Sequence, residues 1–122
     1  MIYLFIGEDI IGQDGISKKD ATLKEIKDRF LAKGVEDFNL DVLYAQELTL
    51  KELQERLLSF PFKSSKRIVV IKEAQKLEGD VKEFILDYAK SPQTKIVLIL
   101  DTTKYLPEDA FARSIRKSSQ II

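Results

Sequence analysis

The sequence predicts an α/β fold, a three-layer parallel sheet of about five strands flanked by helices. Residues 2–6, 68–71 and 96–100 are unbroken apolar runs of strand length, as strands buried on both faces require. The segments between these runs carry apolar residues at helical spacing and bring their own start and stop signals. With 122 residues and 44% hydrophobic content, the chain can fill one core, so 1–122 reads as a single domain.

The first run begins at Ile2 and ends at Gly7, with Glu8 and Asp9 at its carboxyl end. Ser17 can cap a helix with Asp20 three residues on; Leu23, Ile26 and Phe30 share its buried face, and Gly34 is expected to stop it. Asp37 to Tyr44 alternates through Phe38, Leu40 and Val42, which predicts an edge strand with one wet face. Thr49 opens a second helix with Glu52 completing a capping box, while Leu48 and Leu53 stand at the positions of a hydrophobic staple. Pro61 biases Phe60 away from helical torsions, so this helix should end at about Ser59. A third helix is predicted from near Asp80, with Val81, Phe84, Ile85 and Tyr88 on one face and Ser91-Pro92 ending it. Pro107 suits the first turn of a fourth helix carrying Ala110, Phe111 and Ile115, and residues 120–122 read as a last strand.

Composition excludes several chemistries. Without cysteine or histidine there are no disulfides, thiolate nucleophiles or imidazole bases, and nearly every zinc site is removed. Twenty basic residues balance twenty acidic ones, so the chain lacks the global positive field of a dedicated nucleic-acid or membrane-surface binder. No apolar run approaches the ~20 residues of a membrane helix. MIYLFI lacks the basic start and length of a signal peptide, and a cytoplasmic location is expected.

In a parallel α/β sheet a ligand sits at the carboxyl ends of the strands. The loop there, residues 7–14, spaces Gly7 and Gly12 as a phosphate loop does, but Gln13 stands where the lysine belongs and Asp14 where the magnesium hydroxyl belongs. Glu8, Asp9 and Asp14 would repel an anion, and Lys72 follows the strand whose end should offer magnesium an aspartate. Turn-forming glycines therefore outweigh a working nucleotide site, although a nucleotide-binding ATPase remains an alternative. Glu8, Asp9 and Asp101 could converge on magnesium in a receiver-like or nuclease domain, against the blander reading of solvated loop carboxylates. The expectation is no catalytic residue, no cofactor and no metal. Arg113, Arg116 and Lys117 read as a solvated basic helix face.

The most unusual residues lie in LLSFPFKSSKRIVVIKEA, from Leu57 to Ala74. Phe60, Pro61 and Phe62 fall on a non-helical corner beside Lys63, Ser64, Ser65, Lys66 and Arg67, and form either a core plug or an exposed hydrophobic wedge.

The stretches MIYLFIGED, FNLDVLYAQELTLKEL, LLSFPFKSSKRIVVIKEAQKL and KIVLILDTTK resemble the N-terminal domain of the delta subunit family of bacterial DNA polymerase III, the clamp loader's wrench, along the whole chain. The resemblance implies an AAA+-like fold with a degenerate phosphate loop and no nucleotide chemistry. It also implies binding to the sliding clamp, the beta subunit, and opening of one of its interfaces during DNA replication. The family's clamp-binding wedge matches residues 59–62, which makes Leu58, Phe60, Pro61 and Phe62 the candidate clamp contacts. This chain departs from the family at Phe60, where leucine is usual, and at Lys63, where an apolar residue is common. The family's middle domain and collar would lie beyond Ile122, so a fragment or a short version without pentamer assembly is expected. Other clamp-loader subunits would then be met through absent regions and DNA only in the full complex. No catalysis is expected of this domain itself, though its parent would belong to the DNA polymerase III holoenzyme.

Overall fold

The computed structural model describes residues 1–104 and 109–121. Five strands form one sheet: β1 (Ile2–Ile6), β2 (Leu40–Tyr44), β3 (Arg67–Lys72), β4 (Ile96–Thr102) and β5 (Gln120–Ile121). They stand in the order β2-β3-β4-β1-β5, and all their pairings are parallel. Four helices connect them: α1 (Lys18–Phe30), α2 (Leu50–Leu57), α3 (Gly79–Tyr88) and α4 (Ala110–Lys117). The predicted three-layer α/β sheet is the observed one.

Side chains alternate across the sheet, so each strand feeds two cores. Tyr3, Phe5, Ile68, Val70, Val97 and Ile99 face α1, where Ile26 and Leu31 close the layer. Leu4, Val69, Ile71, Leu98 and Leu100 face the opposite layer, filled by Leu53 and Leu57 of α2, Val81 and Ile85 of α3, and Phe111 and Ile115 of α4. Residues 68–71 and 96–100 are all buried, which is why they read as continuous apolar runs rather than alternating ones.

The predicted caps form. Ser17 Oγ accepts from the Asp20 N–H at 3.1 Å and Thr49 Oγ1 accepts from the Glu52 N–H at 3.1 Å. Leu48 and Leu53 are buried in the same cluster, which fixes the direction in which α2 leaves the sheet.

Two boundaries differ from the sequence expectation. Residues 36–39 form a 3-10 turn, so the edge strand begins at Leu40 rather than Asp37, and Phe38 points outward. Within β2 the deeply buried side chain is Leu43, packed with the α2 layer; Val42 is exposed because α1 does not reach this far edge of its face. The first helix ends at Phe30, four residues before Gly34, whose φ of +87° turns the chain toward β2. Pro107 and Ile122 lie outside the described residues.

The crossovers place every helix-to-strand loop at the edge holding the strands' amino ends, and every strand-to-helix loop at the carboxyl edge. The loop of residues 58–66 leads into β3 and so lies at the amino edge; the loop of residues 7–17 lies at the other.

Leu53 is fully buried, so Leu53→Ala is expected to destabilise the domain by about 2–5 kcal/mol, whereas loss of the Thr49 cap in Thr49→Ala costs about 1 kcal/mol. Urea unfolding of the two variants checks the order; equal effects would mean that the cap, and not the buried face, holds α2.

Candidate partner-binding site

At its end α2 is finished by the Leu58 N–H, which donates to the Gln54 carbonyl at 3.1 Å, and by Ser59 Oγ, which donates to the Glu55 carbonyl at 2.9 Å. Pro61 cannot continue a helix, and the chain crosses the amino edge with its apolar side chains turned outward. Leu58 is 69% exposed, Phe60 78% and Phe62 46%, with Pro61 half-buried between the rings. All four sequence-predicted contact residues therefore share one exposed corner.

The backbone beneath them is held by a side chain that sequence reasoning did not single out. Asn39 is completely buried. Its Oδ1 accepts from the Phe62 N–H at 2.6 Å, and its Nδ2 donates to the Phe62 carbonyl at 2.7 Å and to the Val35 carbonyl at 3.0 Å. One amide thus satisfies both backbone groups of Phe62 as a neighbouring strand would. The signal available in the sequence was a polar residue at the start of an otherwise strand-like run, FNLDVLY. Ser64 Oγ adds a second tie by accepting from the Ala32 N–H at 3.2 Å.

Phe38, also not predicted as a site residue, extends the corner. It is 63% exposed and its ring lies 5.3 Å from that of Phe62 in a tilted arrangement suited to an aromatic pair. Below them Arg67 fixes the root of the loop to the edge strand. Its Nη2 meets Asp41 at 2.6 Å and its Nη1 donates to the Phe38 carbonyl at 2.9 Å. On the far side Leu58 forms a ridge between two shallow grooves. One, of about 120 Å³, runs past Phe60, Gln93 and Lys95. The other, of about 230 Å³, is floored by Phe84 and Tyr88. The Gln93 N–H donates to Tyr88 Oη at 3.1 Å, and burial pushes the Tyr88 phenol up.

The carboxyl edge is arranged differently. Gln13 and Asp14 lie in a turn closed by the Gly12 N–H to Ile16 carbonyl bond and the Ile11–Ser17 bridge, several residues before α1. The glycine spacing therefore does not place them at the head of the helix; Lys18 and Lys19 stand there instead. The anion-attracting end of α1 is already occupied by Asp9, whose carboxylate accepts from the Ser17 hydroxyl and from the Lys19 backbone N–H. The Ser17 hydroxyl first, and the Lys19 N–H second, hold the Asp9 carboxyl below its usual range.

Asp101, buried at the end of β4, is met by Lys19 Nζ at 2.6 Å and by Lys72 Nζ at 3.3 Å. Two ammonium groups thus stand against the carboxylate that a magnesium site would need. Among the described residues no three acidic side chains gather as a metal cluster, and Glu8, Asp9 and Asp101 do not converge. A groove of about 260 Å³ borders this region, but the chain's own charges fill its polar positions.

A parallel sheet in this order, with its phosphate-loop position sealed by internal ion pairs, defines an AAA+-like domain whose nucleotide site is degenerate. The sequence model of the family described as DNA polymerase III, delta subunit, matches residues 3–117, and the chain belongs to that family. Among solved structures, the Bacillus subtilis DNA clamp loader delta protein superposes with a TM-score of 0.72 over 99% of this chain at 22% identity. A DNA polymerase III gamma subunit-related protein from Thermotoga maritima does so with a TM-score of 0.69 over 100% of it at 12% identity. This chain spans 37% and 40% of the lengths of those two proteins. No curated protein matches it in sequence.

Two outcomes are expected. Asn39→Ala strips both backbone groups of Phe62 of their partner and should cost about 1–3 kcal/mol, with faster amide exchange at Phe62 than in the parent. Unchanged exchange there would show that the loop is held by other means.

Because the Asp9 carboxyl is depressed in the folded chain, its stabilising contribution is complete above its unfolded value of about 4 and is lost as pH falls through the lower folded value. The stability gap between parent and Asp9→Ala should therefore be constant near neutrality and close in acid. Urea midpoints across that range, with the gap staying open at low pH, would show that Asp9 does not act through its charge.

Proposed function

We propose that this chain is the clamp-engaging domain of a clamp-loader delta subunit, acting in the cytoplasm without catalysis of its own. Leu58, Phe60, Pro61 and Phe62 insert into an apolar pocket on the sliding clamp, the ring-shaped beta subunit, and help to open one of its interfaces. The observation that carries this reading is the exposure of Phe60 and Phe62 on a corner whose backbone is pinned by the buried Asn39. Apolar side chains gathered on a rigid loop form an anchor with little ordering cost on binding. Family membership gives the anchor its partner. Contacts with other clamp-loader subunits and with DNA are assigned to a complete delta protein in its complex, of which this chain spans a part.

An ATPase reading has less support, because Asp9 lies on the amides a phosphate would use and Lys72 and Lys19 neutralise Asp101. ATP with magnesium is expected to leave the unfolding midpoint unmoved, although a ligand at a hundred times its dissociation constant would add about 2.7 kcal/mol of stability.

The clamp reading is tested with Phe60→Ala, Phe62→Ala and the double variant, titrated against the sliding clamp from the same genome and unfolded in urea. Phe60→Ala should change stability by about 0.5 kcal/mol or less. Phe62→Ala costs somewhat more because it loses Phe38. Affinity should fall by about 30-fold or more in each, the loss of an aromatic anchor. A double variant that folds and binds as tightly as the parent overturns the proposal.

A further inference from the structure

We propose that the pocket receiving this corner is rimmed with carboxylates placed to meet Lys63 and Lys95, so that the domain reads an acidic-rimmed apolar pocket and not an apolar one alone. The inference rests on the clamp-binding reading above and specifies the chemistry of the partner surface.

Each exposed ring carries its own cation, supplied by a different loop. Lys63 Nζ lies 5.4 Å from the centre of the Phe62 ring, and Lys95 Nζ lies 5.4 Å from the centre of the Phe60 ring. The lysine stems follow the rings, so neither ring can enter a pocket without bringing an ammonium group to its mouth. There the ammonium loses water, and a facing carboxylate is the group that compensates the loss.

This chain offers none of its own. No acidic residue occurs from Leu57 to Ile71 or from Tyr88 to Leu100, although the chain as a whole is neutral. The nearest carboxylates are already engaged, Asp41 by Arg67 and Arg56 and Asp87 by Lys90. The third lysine of the edge, Lys66, donates to the Thr94 carbonyl at 2.5 Å. Among the described residues Lys63 and Lys95 have no carboxylate partner.

The backbone supplies a separate observation. Lys63 has a φ of +48°, a left-handed conformation that glycine or asparagine adopts at less cost. The position therefore carries a lysine side chain against its backbone preference, directly after the second ring.

A basic corner with aromatic rings also fits single-stranded nucleic acid in outline, but base stacking requires a bare ring face. Here Phe62 is flanked by Lys63 and Phe38, and Phe60 is covered by Lys95. Neutral net charge and two unpaired cations also supply few phosphate contacts.

The test uses the full chain with Lys63→Asn, which keeps the left-handed backbone accessible, Lys95→Gln, and the double variant. Each is titrated against the sliding clamp from the same genome at low and high salt, beside Phe60→Ala. Each neutral variant should bind about two- to fivefold more weakly at low salt, with an unchanged unfolding midpoint, and the double variant should lose most of the salt dependence. If the lysine variants keep the parent's affinity and salt dependence while Phe60→Ala loses binding, the acidic rim is wrong and the apolar docking stands. If Phe60→Ala also binds fully, both fall. Tight binding of a single-stranded oligonucleotide, lost in the double lysine variant, would overturn the inference in favour of nucleic acid.

Discussion

Everything in this domain follows from a parallel sheet that must be covered on both faces. Ile68, Val69, Val70 and Ile71 alternate between two cores, and neither core can form unless a helix crosses over to each side. Right-handed crossovers then sort the connections, with strand-to-helix loops at the carboxyl edge and helix-to-strand loops at the amino edge. The polar, charge-filled region around Asp9 and Asp101 and the apolar corner around Phe60 and Phe62 are thereby held at opposite ends of the same strands. What changes at one end need not disturb the other, so the chain can seal a nucleotide-type site without altering a binding corner.

The sealing is electrostatic. Asp101 is buried where a lone carboxylate would be costly, and Lys19 and Lys72 approach it from a helix and a neighbouring strand. Asp9 meets the free amides at the head of α1, which elsewhere attract phosphate. Each group that could have served a ligand is satisfied from within.

The sheet was legible because burial on two faces leaves an unmistakable trace: β1, β3 and β4 are continuous apolar runs. The helix starts were legible because Ser17 and Thr49 are caps whose chemistry is local. The edge of the sheet was less so. In residues 37–44 the alternation of Phe38, Leu40 and Val42 marks a strand, but Phe38 belongs to a 3-10 turn and Val42 to a face that α1 does not cover. Local periodicity cannot report how far a helix on the other side of the sheet extends. Asn39 was hidden for a related reason, since its partner is a backbone 23 positions away and a backbone carries no sequence signal. The contact residues themselves, Leu58 to Phe62, were visible as a proline-broken apolar cluster; that the cluster turns outward is a property of the packed edge and not of the stretch.

The pinned backbone also bears on what the corner can do mechanically. A flexible hydrophobic loop would have to be ordered on binding, and part of the contact energy would be lost to that ordering. Here Asn39 and Ser64 tie the loop to segments before β2, and Arg67 ties its root to Asp41 of the edge strand. The rings are therefore fixed to the sheet rather than to a tether. An anchor that can pull one part of a ring away from another has to resist displacement in its own frame, because strain passes into the partner only if the loop does not yield first. By connecting Phe62 through Asn39 to the start of β2, and Leu58 through α2 to the buried Leu53 and Leu57, the chain gives the corner two independent supports in its core.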